Sequence, residues 1–226
     1  MWDFLDKLLK IGGILSFFWA ISQYLYYNKI SFFIKINQIV SWNKDVNFEV
    51  SLAAMDPVPD LNLMLKKSRE VFEYETKIIS RSKNKIVFSV DTMIIEIRND
   101  YNLDPNLDDE YKFEMFIKNA NSTYTVATKN LKILDNLFNE LESKFNLKNP
   151  RYSFKSVFPK KNPFIGPVIT KTGFDKIKTF YMILSADVLE QDLIADENIQ
   201  INLTEISFVE HRFSQVREVA NIILAI

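Results

Sequence analysis

Between Asp100 and Glu110 the chain sets oxygen-bearing side chains at alternate positions, Asp100, Asn102, Asp104, Asn106 and Asp108. A calcium loop gathers its ligands at that spacing, because a hard divalent cation takes several oxygens from one turn. The pattern fails where such a loop is strictest: its sixth position is Pro105 and not glycine, and its twelfth is Tyr111 and not glutamate. A solvated acidic turn between two strands accounts for the same residues. Asp100, Asn102, Asp104 and Asp108 therefore stand as a calcium candidate, and no other metal and no cofactor is expected.

A second stretch interleaves cations with rings. Lys148, Arg151, Lys155, Lys160, Lys161, Lys171, Lys176 and Lys178 alternate with Tyr152, Phe154, Phe158, Phe164 and Phe174, opposed by Asp175 alone. A cationic groove with stacking rings suits single-stranded nucleic acid or a phosphorylated ligand, and a basic surface suits anionic lipid headgroups. The ordinary explanation is a strand whose rings point inward and whose lysines point outward, and the alternation from Tyr152 to Phe158 favours it. Directly afterwards, Asp187 to Glu210 is acidic and contains no lysine or arginine. Opposite blocks of this kind are able to mate across the chain or between copies of it.

Acid–base and nucleophilic chemistry has little to work with. His211 is the only histidine, there is no cysteine, and the four glycines form no phosphate-cradling loop. Thiol chemistry and histidine-based metal clusters are excluded. Asp91 and Glu96 fall on opposite faces of a single strand and make no carboxylate pair. No catalytic residue is expected.

The elements that would position these residues read as α+β. Asn47–Met55 is a strand, stopped by Pro57 and Pro59, and Asp60 caps a helix that turns Leu61, Met64, Leu65 and Phe72 inward. Strands follow at 75–80, 85–98 and 112–118, then a helix over 129–145 capped by Thr128. After Asn149-Pro150 the order recurs: a strand at 152–158, a long one within 174–189, one at 199–208, and a last helix capped by Ser214. The expected form is a mainly antiparallel sheet with amphipathic helices on one face. It divides into possible halves, 45–148 and 149–226, related by duplication.

Ahead of this domain, residues 1–44 read as a membrane anchor and juxtamembrane helix, the alternative being a long hydrophobic helix that packs in a core or on a protein partner. Ile11–Asn28 carries no charge, is about 27 Å long as a helix, and has aromatic and lysine flanks. It offers no small-residue cleavage site, so an uncleaved signal-anchor is expected. Gly12, Ser16 and Ala20 share one helical face, a candidate packing surface for membrane helices. Residues 30–42 continue as an amphipathic helix with Phe32, Phe33, Ile36, Ile39 and Val40 on its apolar side, or else as a strand in which Ile34, Ile36 and Gln38 alternate imperfectly with polar neighbours. The lysines behind the span slightly outnumber those before it, which sets the soluble domain, residues 45–226, on the cytoplasmic side. With a net charge of −1 there is no global attraction to nucleic acid.

Together these features predict a single-pass, non-enzymatic binding or scaffold protein. Its partners are the membrane and other proteins, further copies of itself included. The alternative is a soluble or peripheral module that binds nucleic acid or a phosphorylated ligand through residues 148–178.

Overall fold

The structure, a computed structural model, describes residues 2–28, 30–41, 44–56, 60–72, 75–101, 111–158, 162, 165, 177–185, 189 and 198–225. Nine strands form one antiparallel sheet: β1 (Asp45–Asp56), β2 (Thr76–Arg81), β3 (Lys85–Val90), β4 (Met93–Tyr101), β5 (Tyr111–Thr123), β6 (Lys148–Val157), β7 (Tyr181–Leu184), β8 (Ile199–Asn202) and β9 (Glu205–Glu210). Their order is β2-β3-β4-β5-β1-β6-β9-β8-β7. Outward from the β1–β6 seam, β5, β4, β3 and β2 lie on one side, and β9, β8 and β7 on the other.

Period-two alternation decides the layers. In β1, Val46, Phe48, Val50, Leu52 and Ala54 are buried, while Asn47, Glu49, Ser51 and Ala53 between them remain partly accessible. Helices cover the buried side: α3 (Leu61–Val71) lies over β3 and β4, α4 (Tyr124–Phe145) over β1 and β5, and α5 (Phe213–Ala225) over β6 and β9. Among the described residues no helix covers the other side, which is called the open face below. The seam of the core is aromatic. Phe213 of α5 meets Phe138 of α4 edge-on at 4.5 Å, and Phe138 lies 5.2 Å from Tyr152 of β6.

Local signals place the helices. Asp60 caps α3 by accepting from the backbone N–H groups of Asn62 (2.9 Å) and Leu63 (3.2 Å), and Leu61, Met64, Leu65 and Phe72 are buried as expected. α4 begins five residues earlier than its apolar stripe indicates: Thr123, not Thr128, is the cap. α5 starts at Phe213, so Ser214 lies inside its first turn. The expected strand 85–98 is a hairpin, because Asp91 adopts a positive φ of 49° and reverses the chain between Val90 and Met93. The expected strand 199–208 is likewise two strands, β8 and β9. Of the long strand expected within 174–189, the described residues contain only Tyr181–Leu184.

The amino-terminal reading requires correction. Trp2–Asn28 is one continuous helix, α1, followed by α2 (Ile30–Val40). Yet among the described residues no helix is long and apolar enough to cross a membrane. The shortfall is in apolarity and not in length. Lys7 and Lys10 bound the apolar run in front. Behind it Ser22, Gln23, Tyr24, Tyr26, Tyr27 and Asn28 dilute it. What remains, Ile11–Ile21, spans about 16 Å, half the hydrocarbon thickness. The single-pass anchor, the signal-anchor, the membrane location and the cytoplasmic side inferred from it are all set aside. α2 is helical, but among its described side chains Ile34 is the buried one, whereas Ile36, Ile39 and Val40 are exposed. Phe33 packs against the core, and its ring meets Tyr26 of α1 edge-on at 5.0 Å.

A charge-laddered groove on the open face

Three rows of side chains cross the open face, each set by strand register. In the first, Glu49 of β1 stands opposite Lys118 of β5 on one side and Lys155 of β6 on the other. Ile94 of β4 continues that row beyond Lys118, and Ser207 of β9 continues it beyond Lys155. In the second, Glu96, Phe116, Ser51 and Ser153 follow one another across β4, β5, β1 and β6. In the third, Arg98 faces Glu114, then come Ala53 and Arg151.

The charges in these rows neutralise one another. Lys118 and Lys155 both approach the Glu49 carboxylate at 3.7 Å, and Lys155 also reaches Glu205 at 3.2 Å. The Glu205 carboxylate, seconded by Glu49, holds the Lys155 ammonium above its ordinary range. Arg98 pairs with Glu114 and stacks over the Phe116 ring at 4.8 Å, while Lys85 pairs with Glu96 at 2.7 Å. Between the rows lies a groove of about 410 Å³ lined by Glu49, Ser51, Ile94, Glu96, Phe116, Lys118, Ser153 and Lys155. The Ser51 and Ser153 hydroxyls are hydrogen-bonded to each other at 2.6 Å on its floor. Its apolar wall is accessible: Phe116 is 39% exposed and Ile94 is 48% exposed.

Neither serine has a histidine beside it, since His211 stands exposed just before α5. Among the described residues no three histidine or carboxylate side chains come close enough to hold a metal ion. Of the calcium candidate, Asp100 lies in β4 opposite Lys112, and Asn102, Asp104 and Asp108 fall outside the described residues.

The basic–aromatic segment is divided by its own strand. Tyr152 and Phe154 are buried beneath the helices, whereas Arg151 and Lys155 belong to the open face. Rings and cations from β6 therefore do not share one surface. Lys148 begins β6 and is exposed, as is Lys178 ahead of β7. Lys160, Lys161, Lys171 and Lys176 lie outside the described residues. Where basic and acidic segments meet, at Lys155 and Glu205, they do so within one chain through β6–β9 pairing. Gly12, Ser16 and Ala20 lie exposed on α1, and a side chain at Gly12 or Gly13 would meet nothing within 4 Å.

Glu49, Ser51, Phe116, Lys118 and Ser153 are the groove residues that sequence reasoning missed. The alternation in NFEVSLAAM, KFEMFIKN and RYSFKSVF assigns them to one face of their own strands, but nothing local says that β1 joins β5 to β6. Comparison with protein families and with characterised proteins finds no match to this chain.

Proposed function

We propose that the chain is a non-catalytic binding module that seats a partner polypeptide on the open face, over the Ile94–Phe116 groove, without a membrane span. One observation carries the reading: half-exposed apolar side chains are set within a lattice of opposite charges that already neutralise each other. A polyanion needs an excess of cations. A protein surface of mixed charge, with an apolar anchor at its centre, suits a compensated face.

A second reading, a nucleic acid or phosphorylated ligand held by the same face, is favoured by Arg151, Lys155 and Lys118 converging on it. The division of the chain into halves 45–148 and 149–226 remains part of the proposal. It is supported by the matching order of strands on either side of the β1–β6 seam.

A photo-crosslinking residue at position 116 or 94, compared in the producing cell with one at Lys132 on the exposed side of α4, tests both readings. Crosslinks to protein at 116 and 94 but not at 132 are expected. Equal labelling at all three positions removes the groove as the site, and crosslinks to nucleic acid transfer it to the second reading.

A further inference from the structure

Among the described residues β2 ends the sheet and is hydrogen-bonded on one side only, to β3. Five of its six residues are exposed. Its sequence, Thr-Lys-Ile-Ile-Ser-Arg, is that of a strand with high pairing propensity, and its outer backbone groups form a template for another strand. Ile78 stands opposite Phe88 on the helix-covered side but is 38% exposed, because α3 lies chiefly over β3 and β4. Ile79 sits in a register shift between Ile78 and Ser80 and is 56% exposed.

The charge along β2 itself is predominantly positive, although Asp60 shares a cleft with Arg81 and Lys83. Lys77, Arg81 and Lys83 are exposed along this edge, and the only carboxylate between residues 75 and 85 is Glu75. Lys77 pairs with Ser89 on the open face, whereas Arg81, past the register shift, pairs with Ile86 on the helix-covered side, so a second copy would bring further cations to a strand that is basic on both faces. Edge lysines and bulges guard sheets against indiscriminate pairing. Here the guard has a sign, and an incoming strand of opposite sign turns it into an attraction.

We infer that β2 is the docking edge for an extended, acidic segment of a partner protein, which adds to the sheet as a tenth strand. An apolar residue of that strand beside Ile78 extends the core under the margin of α3, and its carboxylates on the open face meet Lys77. This edge is separate from the groove, so either site stands if the other fails.

The test uses the full chain and three labelled octapeptides followed by fluorescence anisotropy. One alternates glutamate with valine, one alternates lysine with valine, and the third is the glutamate peptide N-methylated at alternate residues. Saturable binding is expected of the first alone. Lys77→Glu, which leaves the Arg81 contact to Asn62 in place, weakens it roughly threefold. The pair Lys77→Glu with Arg81→Glu weakens it roughly tenfold or more and admits the lysine peptide. Unaltered affinity in the charge-reversed chain overturns the inference, as does equal binding of the N-methylated peptide or no binding by any of the three. A concentration-dependent dimer dispersed by Ile79→Lys gives the edge to a second copy instead.

Discussion

The Arg217 guanidinium on α5 donates to the Asp135 carboxylate on α4, joining the helices that roof the two sides of the sheet. Asp135 is almost wholly buried, and its second oxygen has no hydrogen-bond partner. Breaking such a pair from one side strands a buried charge, whereas replacing both members by apolar side chains need not. Arg217→Met should destabilise the fold by about 3 kcal/mol. Adding Asp135→Leu should restore most of that loss. Urea midpoints of the two single variants and the double variant check it, and additive losses would mean that the two residues are not coupled.

A second buried polar contact controls behaviour at high pH. The Tyr152 hydroxyl donates to the Glu142 carboxylate, and burial first, then that hydrogen bond, pushes the phenol well above its ordinary range. In the unfolded chain the phenol ionises near pH 10, whereas in the folded chain it keeps its proton. Above about pH 10 the unfolded state therefore binds fewer protons, and stability falls as pH rises. Tyr152→Phe should flatten that alkaline limb and cost about 1 kcal/mol at neutral pH, where only the hydrogen bond is lost. Denaturation midpoints between pH 8 and pH 11 read both effects. Tyr124, also raised by burial, should leave a residual slope.

The α+β class, the cap at Asp60 and the helices on one face are legible in the sequence because each rests on local spacing. Errors arise where tertiary contacts overrule that spacing. α4 starts at Tyr124 because Ala127 is buried against the sheet and the Tyr124 hydroxyl donates to the Asn221 carbonyl on α5 at 3.3 Å. Neither contact has a signature among neighbouring residues. Asp91 reads as an outward residue in a β-branched run, since the turn carries no glycine or asparagine to announce it. The groove is hidden for a further reason: its central carboxylate, Glu49, meets lysines 69 and 106 positions away, and strand order is not a local property. α1 misleads in the opposite way, with a length and flanks that fit a membrane span and an apolar core too short for one.

At Asp91 a positive φ of 49° is forced on a residue with a Cβ. Glycine occupies that region without the steric cost. Asp91→Gly should stabilise the β3–β4 hairpin by about 0.5–1 kcal/mol, and Asp91→Val should destabilise it by at least as much. Thermal unfolding of both variants tests this. Loss of stability with glycine would show that the Asp91 side chain contributes more than its backbone costs.

Glu49 sets the sign of the open face. It stands between Lys118 and Lys155 at 3.7 Å from each, and Lys155 has Glu205 as a second partner whereas Lys118 has Ile94 on its other side. Glu49→Gln removes one negative charge from the middle of a compensated row. The ion pairs are accessible and long, so stability should change by less than about 1 kcal/mol. Binding should change more. The unmodified chain should hold single-stranded oligonucleotides no better than its net charge allows, and Glu49→Gln should tighten that binding with a dependence on salt between about 50 and 200 mM. Protein crosslinks at position 116 should weaken in the same variant, because the row no longer matches a surface of mixed charge. Filter binding and the crosslinking yield give the two readouts. Tight oligonucleotide binding by the unmodified chain would reverse the order of the two functional readings.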